Sequence, residues 1–160
     1  METLRRCLTL QKSSFKSSDK YFQLLEEYIM KVRDKVEGII LFGSLAKNQT
    51  LPFPKSDIDL IVIADNLPDI RERAEYVRKI ERSPSIVQSI WMTRGEFLEH
   101  VEAGSGYVLD AIFDGKLVFD RGSVNELVEK AKEIVKKKGI KRVGKCWVWN
   151  VKKAGEVFNF

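Results

Sequence analysis

Two aspartates, Asp57 and Asp59, stand one residue apart at the head of the apolar run DLIVIA, residues 59–64. Aspartate is disfavoured in strands, and side chains two positions apart on a strand share a face. The spacing therefore predicts two carboxylates pointing the same way, so close that repulsion would force one to take a proton. A divalent cation removes that conflict and keeps both ionised. Magnesium suits the pair, with manganese as its substitute, because it takes oxygen ligands and often combines one or two carboxylates with phosphates. The plainer reading is that Ser56-Asp57 closes a turn and Asp59 sits at an exposed strand end.

A second feature lies upstream. Gly43-Ser44 ends the apolar run GIILF and precedes Leu45-Ala46-Lys47, which can begin a helix. Glycine lets the backbone come close to a ligand, and free N–H groups at a helix start attract phosphate. Ser44 adds a hydroxyl donor and Lys47 a positive charge. Alone, the pair is an ordinary strand-to-helix turn. Beside an acidic dyad it supplies the other half of a nucleotide–metal site.

The elements that must position these groups follow from periodicity. Residues 20–35 place Phe22, Leu25, Ile29 and Val32 on one helical face. GIILF (38–42) and DLIVIA (59–64) are short, continuous and β-branched, as expected of strands buried on both sides. Pro68 and Asp69 suit a first helical turn, followed by a stripe of Ile70, Ala74, Val77 and Ile80. SIVQSIWM (85–92) is a third strand. Thr93 and Glu96 have capping-box spacing, and so do Ser123 and Glu126, whose helix stops near Gly139. YVLDAIF continues helically to a turn at Asp114-Gly115, and KLVF is a short strand. The class is α/β (α+β): a mixed sheet covered by helices. Three parts are expected: an N-terminal extension (1–19), a central domain (20–138), and a basic, Trp-containing tail (139–160). Trp147, Trp149 and Val151 alternate, which suits an edge strand or an arm.

Length and charge bound the function. The chain has 160 residues, enough for one domain with a core. It has no apolar run of about eighteen residues to span a membrane and no secretory signal. Cys7 and Cys146 are isolated, which suits reduced thiols and a cytoplasmic location. Residues 36–120 carry nine basic and fourteen acidic side chains, whereas residues 121–160 carry eleven and four. An acidic middle with a basic end suits a cation at the centre and an anionic partner near the end, or simply a solvated helix face. One histidine and two distant cysteines exclude the usual zinc clusters, and His100, with acidic neighbours, reads as solvated. No P-loop motif is present, and neither cysteine has a visible activating base.

The paired motif resembles the nucleotidyltransferase superfamily that includes DNA polymerase β, and within it the minimal nucleotidyltransferases, or MNT proteins. Gly43-Ser44-Leu45-Ala46-Lys47-Asn48 and Ser56-Asp57-Ile58-Asp59-Leu60 carry the likeness, which extends over about residues 20–138. The resemblance implies a palm-like sheet with a two-metal magnesium site. Gly43, Ser44, Lys47 and Ser56 would bind the nucleotide, and Asp57 and Asp59 would bind metal and act in catalysis. The implied reaction moves NMP from an NTP, with ATP the expected donor, to an acceptor. Family members of this size often partner helical HEPN proteins as antitoxins. Two positions depart from the pattern. Asn48 stands where glycine is frequent, a mild change because asparagine tolerates the left-handed conformation. Gln88 aligns with the third carboxylate of active members, and an amide cannot act as a base. Either another group then contributes, such as Glu96 or a partner's residue, or the catalytic step is slow or lost.

Three functions follow: an active nucleotidyltransferase; a nucleotide- or partner-binding protein of the same fold that has lost turnover; and a nucleic-acid protein using the lysine-rich 130–145 stretch with the tryptophans. In the third case Lys136, Lys137 and Lys138 also have a simpler role, closing a helix where cations favour the dipole.

Overall fold

The computed structural model describes residues 19–149. In chain order they form α1 (Asp19–Val32), β1 (Gly38–Phe42), α2 (Gly43–Ala46), β2 (Ile58–Ile63), α3 (Ile70–Glu81) and β3 (Val87–Met92). Then come α4 (Arg94–Glu102), α5 (Gly106–Asp114), β4 (Lys116–Asp120), α6 (Val124–Lys137), β5 (Lys141–Val143) and β6 (Cys146–Val148). The main sheet runs β3-β2-β1-β4. β1 is antiparallel to both β2 and β4, and β2 and β3 are parallel, so the sheet is mixed as expected. No described helix is long and apolar enough to cross a membrane.

Both faces of the sheet are covered, which is why β1 and β2 read as continuous apolar runs rather than alternating ones. Ile39, Leu41, Leu60 and Val62 face a core built with Leu25, Ile29 and Val32 of α1. Ile40, Ile61 and Ile63 face a second core with Phe97 and Val101 of α4, Val108 and Leu109 of α5, and Ala131 of α6. Each such side chain, fully buried, contributes roughly 1.5–3 kcal/mol. That reserve lets the sheet carry unfavourable charge at one end.

Several local expectations are met. Thr93 and Glu96 form the reciprocal capping box, and α6 stops at Lys137 with Gly139 at φ +67°. Others are corrected. Ser123 makes no capping hydrogen bond; Asp120 takes that role, accepting from the backbone of Gly122, Ser123, Val124 and Asn125. A carboxylate with two oxygens can satisfy several orphan N–H groups that one hydroxyl cannot. The α3 stripe is only half right. Val77 and Ile80 pack on the core, but Ile70 is 73% exposed. The start of α3 instead lines an open cleft of about 1030 Å³ beside edge strand β3 and α4. YVLDAIF is helical up to Asp114 as expected, within a helix of its own that Gly104 (φ +71°) sets off from α4.

His100 is not simply solvated. It is half-buried, its Nδ1 lies 2.9 Å from Ser105 Oγ, and its ring meets Tyr107 edge-on. The alternating tail makes an arm rather than an edge of the main sheet: β5 and β6 pair only with each other. Val151 and Cys7 lie outside the described residues, and Cys146 is an exposed free thiol.

Candidate active site

The register brings the predicted residues to one end of the sheet. Phe42 pairs with Asp59 across β1 and β2, so Gly43 follows directly above the carboxylate. Gly43 has φ +72°, a conformation that L side chains rarely adopt, and a Cβ built on it would collide with Asp59 Oδ2. Two independent demands for glycine therefore coincide at this residue. Together they hold the turn's backbone against the acid.

Asp57 is exposed and Asp59 half-buried. Neither forms an ion pair among the described residues, so their charges are unopposed. Burial first, and then the charge of Asp57, push the Asp59 carboxyl above the usual range. The repulsion anticipated from the spacing is thus present but second to burial, and both suit the donor set to a hard divalent cation. Two carboxylates on one open face would gain a counter-charge and lose their conflict. Among the described residues no group of three or more His, Cys, Asp or Glu gathers as a metal cluster. Further oxygen ligands would have to come from water or from phosphate.

Gln88 is the position that the resemblance aligns with a third carboxylate. In the parallel register it is the partner of Asp59, so it lies beside the dyad on the same face. Its side chain is exposed, with Nε2 donating to Ser85 O at 2.6 Å. A slip of one residue does not help. Val87 is buried, and Ser89 hydrogen-bonds the Glu81 carboxylate, which also accepts from Tyr28 (2.5 Å) and Trp91 (2.7 Å). Glu96 does not substitute either. It follows the far end of β3, some ~13 Å along the strand from Gln88 at ordinary rise. There Arg73 holds it with two bonds of 2.8 Å and depresses its carboxyl.

The phosphate half is more modest than expected. The helix after Gly43-Ser44 is a single turn, Gly43–Ala46, so its dipole is small. What remains are the local backbone N–H groups, the Ser44 hydroxyl, and Lys47, whose Nζ lies 3.5 Å from Asp114 Oδ2. Asn48 takes φ +56°, the left-handed conformation for which asparagine is suited. Ser56 Oγ accepts from Leu51 N at 2.9 Å, so it braces the loop before Asp57.

Two contributors escaped the sequence reading. Tyr21 pins that loop: its hydroxyl accepts from Ser56 N and donates to Leu51 O. Only the burial of the first turn of α1 distinguishes it from other helix aromatics. Asp114, which its sequence context makes a turn residue, is the anchor of Lys47. An acid ending a helix, where the dipole disfavours it, was the available signal. The large cleft beside β3 is lined by none of Gly43, Ser44, Asp57 or Asp59.

The fold agrees with the family comparison. The family model described as Polymerase beta, Nucleotidyltransferase matches residues 23–123. The chain belongs to that family. No curated protein matches it. Among solved structures, a toxin–antitoxin with AMP-PNP is 22% identical, covering 74% of this chain and 86% of that one, with a TM-score of 0.41. A tri-AMPylated Shewanella oneidensis HEPN toxin in complex with MNT antitoxin is 21% identical, covering 74% and 83%, with a TM-score of 0.40.

Proposed function

We propose that this nucleotidyltransferase domain transfers AMP from ATP to an acceptor hydroxyl, in the manner of the minimal nucleotidyltransferases, with a HEPN-type helical protein as the acceptor's class. The observation that supports the reading is the close approach of Gly43 to Asp59, where a Cβ would collide with the carboxylate, so that the turn lies beside the dyad. Asp57 and Asp59 would hold magnesium or manganese, which supplies Lewis-acid polarisation of the phosphoryl oxygens when bound. Ser44 and the local N–H groups of the turn orient the triphosphate, and Lys47 offsets its charge. The acceptor oxygen bonds to the α-phosphorus as the bond to the β-phosphate oxygen breaks, and pyrophosphate leaves. With an amide at position 88, the hydroxyl proton passes to solvent, and transfer is correspondingly slow.

Transfer is tested with α-labelled ATP, either metal and a HEPN-type protein. Label on the partner, lost in the Asp57→Ala/Asp59→Ala double variant by a factor on the order of 10² or more, is expected. No transfer from any common NTP with either metal would reject it. Gln88 favours a second reading, a nucleotide-binding protein without turnover. That reading predicts stabilisation by ATP–magnesium without pyrophosphate release, and the substitution Gln88→Glu separates the two. An active enzyme should speed up by a factor on the order of 10² when a third carboxylate returns, whereas a pure binding protein should still release nothing.

A further inference from the structure

The basic tail is not wholly available to an anionic partner, because one of its cations is folded back onto the acidic middle of the chain. Arg142 of β5 donates from Nη1 to Asp114 Oδ1 at 2.9 Å and from Nη2 to Asp114 Oδ2 at 2.8 Å. Nη2 also reaches Asp110 Oδ1 at 3.1 Å. The guanidinium lies 4.5 Å over the Trp147 ring, and Trp147 Nε1 donates to the same Asp110 oxygen at 3.0 Å. Asp110 and Asp114 are one turn apart on α5, so a single arginine clamps both. The clamp holds the Asp114 carboxyl well below the usual range.

Lys47 meets this clamp from the other side, at 3.5 Å from the oxygen that Arg142 Nη2 already holds at 2.8 Å. Asp114 is thus compensated twice, tightly by a bidentate arginine and loosely by a lysine. If Lys47 were its only partner, moving that lysine to a phosphate would strand a carboxylate whose side chain is only 26% exposed. With Arg142 in place the exchange costs little, because the carboxylate stays paired throughout.

We propose that Arg142 is a positioning residue for the nucleotide site: by satisfying Asp114 it frees Lys47 to leave that carboxylate for the triphosphate. The proposal rests on the reading that Lys47 serves the nucleotide. It adds a role for the hairpin beyond residues 23–123, the span that the family model matches.

The test measures ATP–magnesium affinity by calorimetry on the full chain, with thermal melting as the control for folding. Arg142→Ala should weaken binding about three- to fivefold, the range expected of partly exposed ion pairs, because Asp114 then competes for Lys47. Adding Asp114→Asn should restore affinity by removing the competitor. In a Lys47→Met background, Arg142→Ala should change nothing. Arg142→Lys, a point charge without the fork, should fall between. If Arg142→Ala unfolds the hairpin, Arg142→Lys in the wild-type and Lys47→Met backgrounds carries the test. Unchanged affinity in folded Arg142→Ala would overturn the proposal. So would a loss that Asp114→Asn deepens, since a merely structural clamp gives that result. A wild-type chain that does not bind ATP–magnesium would instead remove the nucleotide site itself.

Discussion

The two ends of β2 treat acidic residues in opposite ways. At the start of the strand, Asp57 and Asp59 have no ion pair among the described residues, and burial, then the charge of Asp57, raises the Asp59 carboxyl. Past its other end, Asp65 accepts from Arg94 at 2.9 Å, Glu37 lies 3.7 Å from the same arginine, and Glu96 is held by Arg73. The acids at the far end are architecture, each offset where the chain leaves the sheet. Those at the near end are left in conflict. The proposed function gives that contrast a reason: a cation bound at the near end would supply the counter-charge that arginines supply at the far end.

Gly43→Ala should break the near end most severely. It forces a left-handed backbone on alanine and drives a Cβ into Asp59, costing roughly 1–3 kcal/mol in strain alone. Melting temperature should fall, and ATP–magnesium stabilisation should vanish with it. A variant that melts and binds like the wild type would remove the turn from the site.

At the far end, Arg73→Ala strips Glu96 of its partner and should cost about 1–2 kcal/mol, while leaving nucleotide binding intact in the folded fraction. Denaturation against pH sharpens the point. The Glu96 carboxyl is depressed in the folded protein, so its contribution is present above the unfolded value and is lost as pH falls through the folded one. Arg73→Ala should erase most of that acid-side loss; an unchanged pH profile would mean the pair contributes nothing.

The smallest effect has the opposite sign. The Asp59 carboxyl is raised, so its ionisation destabilises the metal-free fold as pH rises through the folded value. Asp59→Asn should therefore raise the melting temperature slightly at neutral pH while abolishing metal-dependent nucleotide binding. A lower melting temperature would show that the dyad is structural after all.

Much of this was legible in the residues alone. Runs such as GIILF announce doubly covered strands, and Thr93 with Glu96 announces a helix start, because both signals are local and repeat with the period of the element. The motif at 43–59 was legible for a similar reason. Chemistry that opposes propensity, such as two aspartates on a strand, has few structural explanations. What failed was anything that depends on which neighbour arrives. Ile70 carries a helical stripe but finds no core, because α3 overhangs an edge strand. Ser123 has the right spacing for a cap, but Asp120 reaches the N–H groups first.

The sequence by itself pointed to the family and determined the sheet's buried strands and the closeness in sequence of a Gly-Ser turn and an acidic pair. These are written in contiguous residues, where covalent geometry alone sets the spacing. Only the tertiary structure decided that Gln88 stands in register with Asp59, and that Glu96 is spent on Arg73. It also decided that Arg142, about a hundred residues from Lys47 in the chain, shares a carboxylate with it. Register and long-range pairing are set by how whole faces bury against one another, and no short stretch of sequence contains that information.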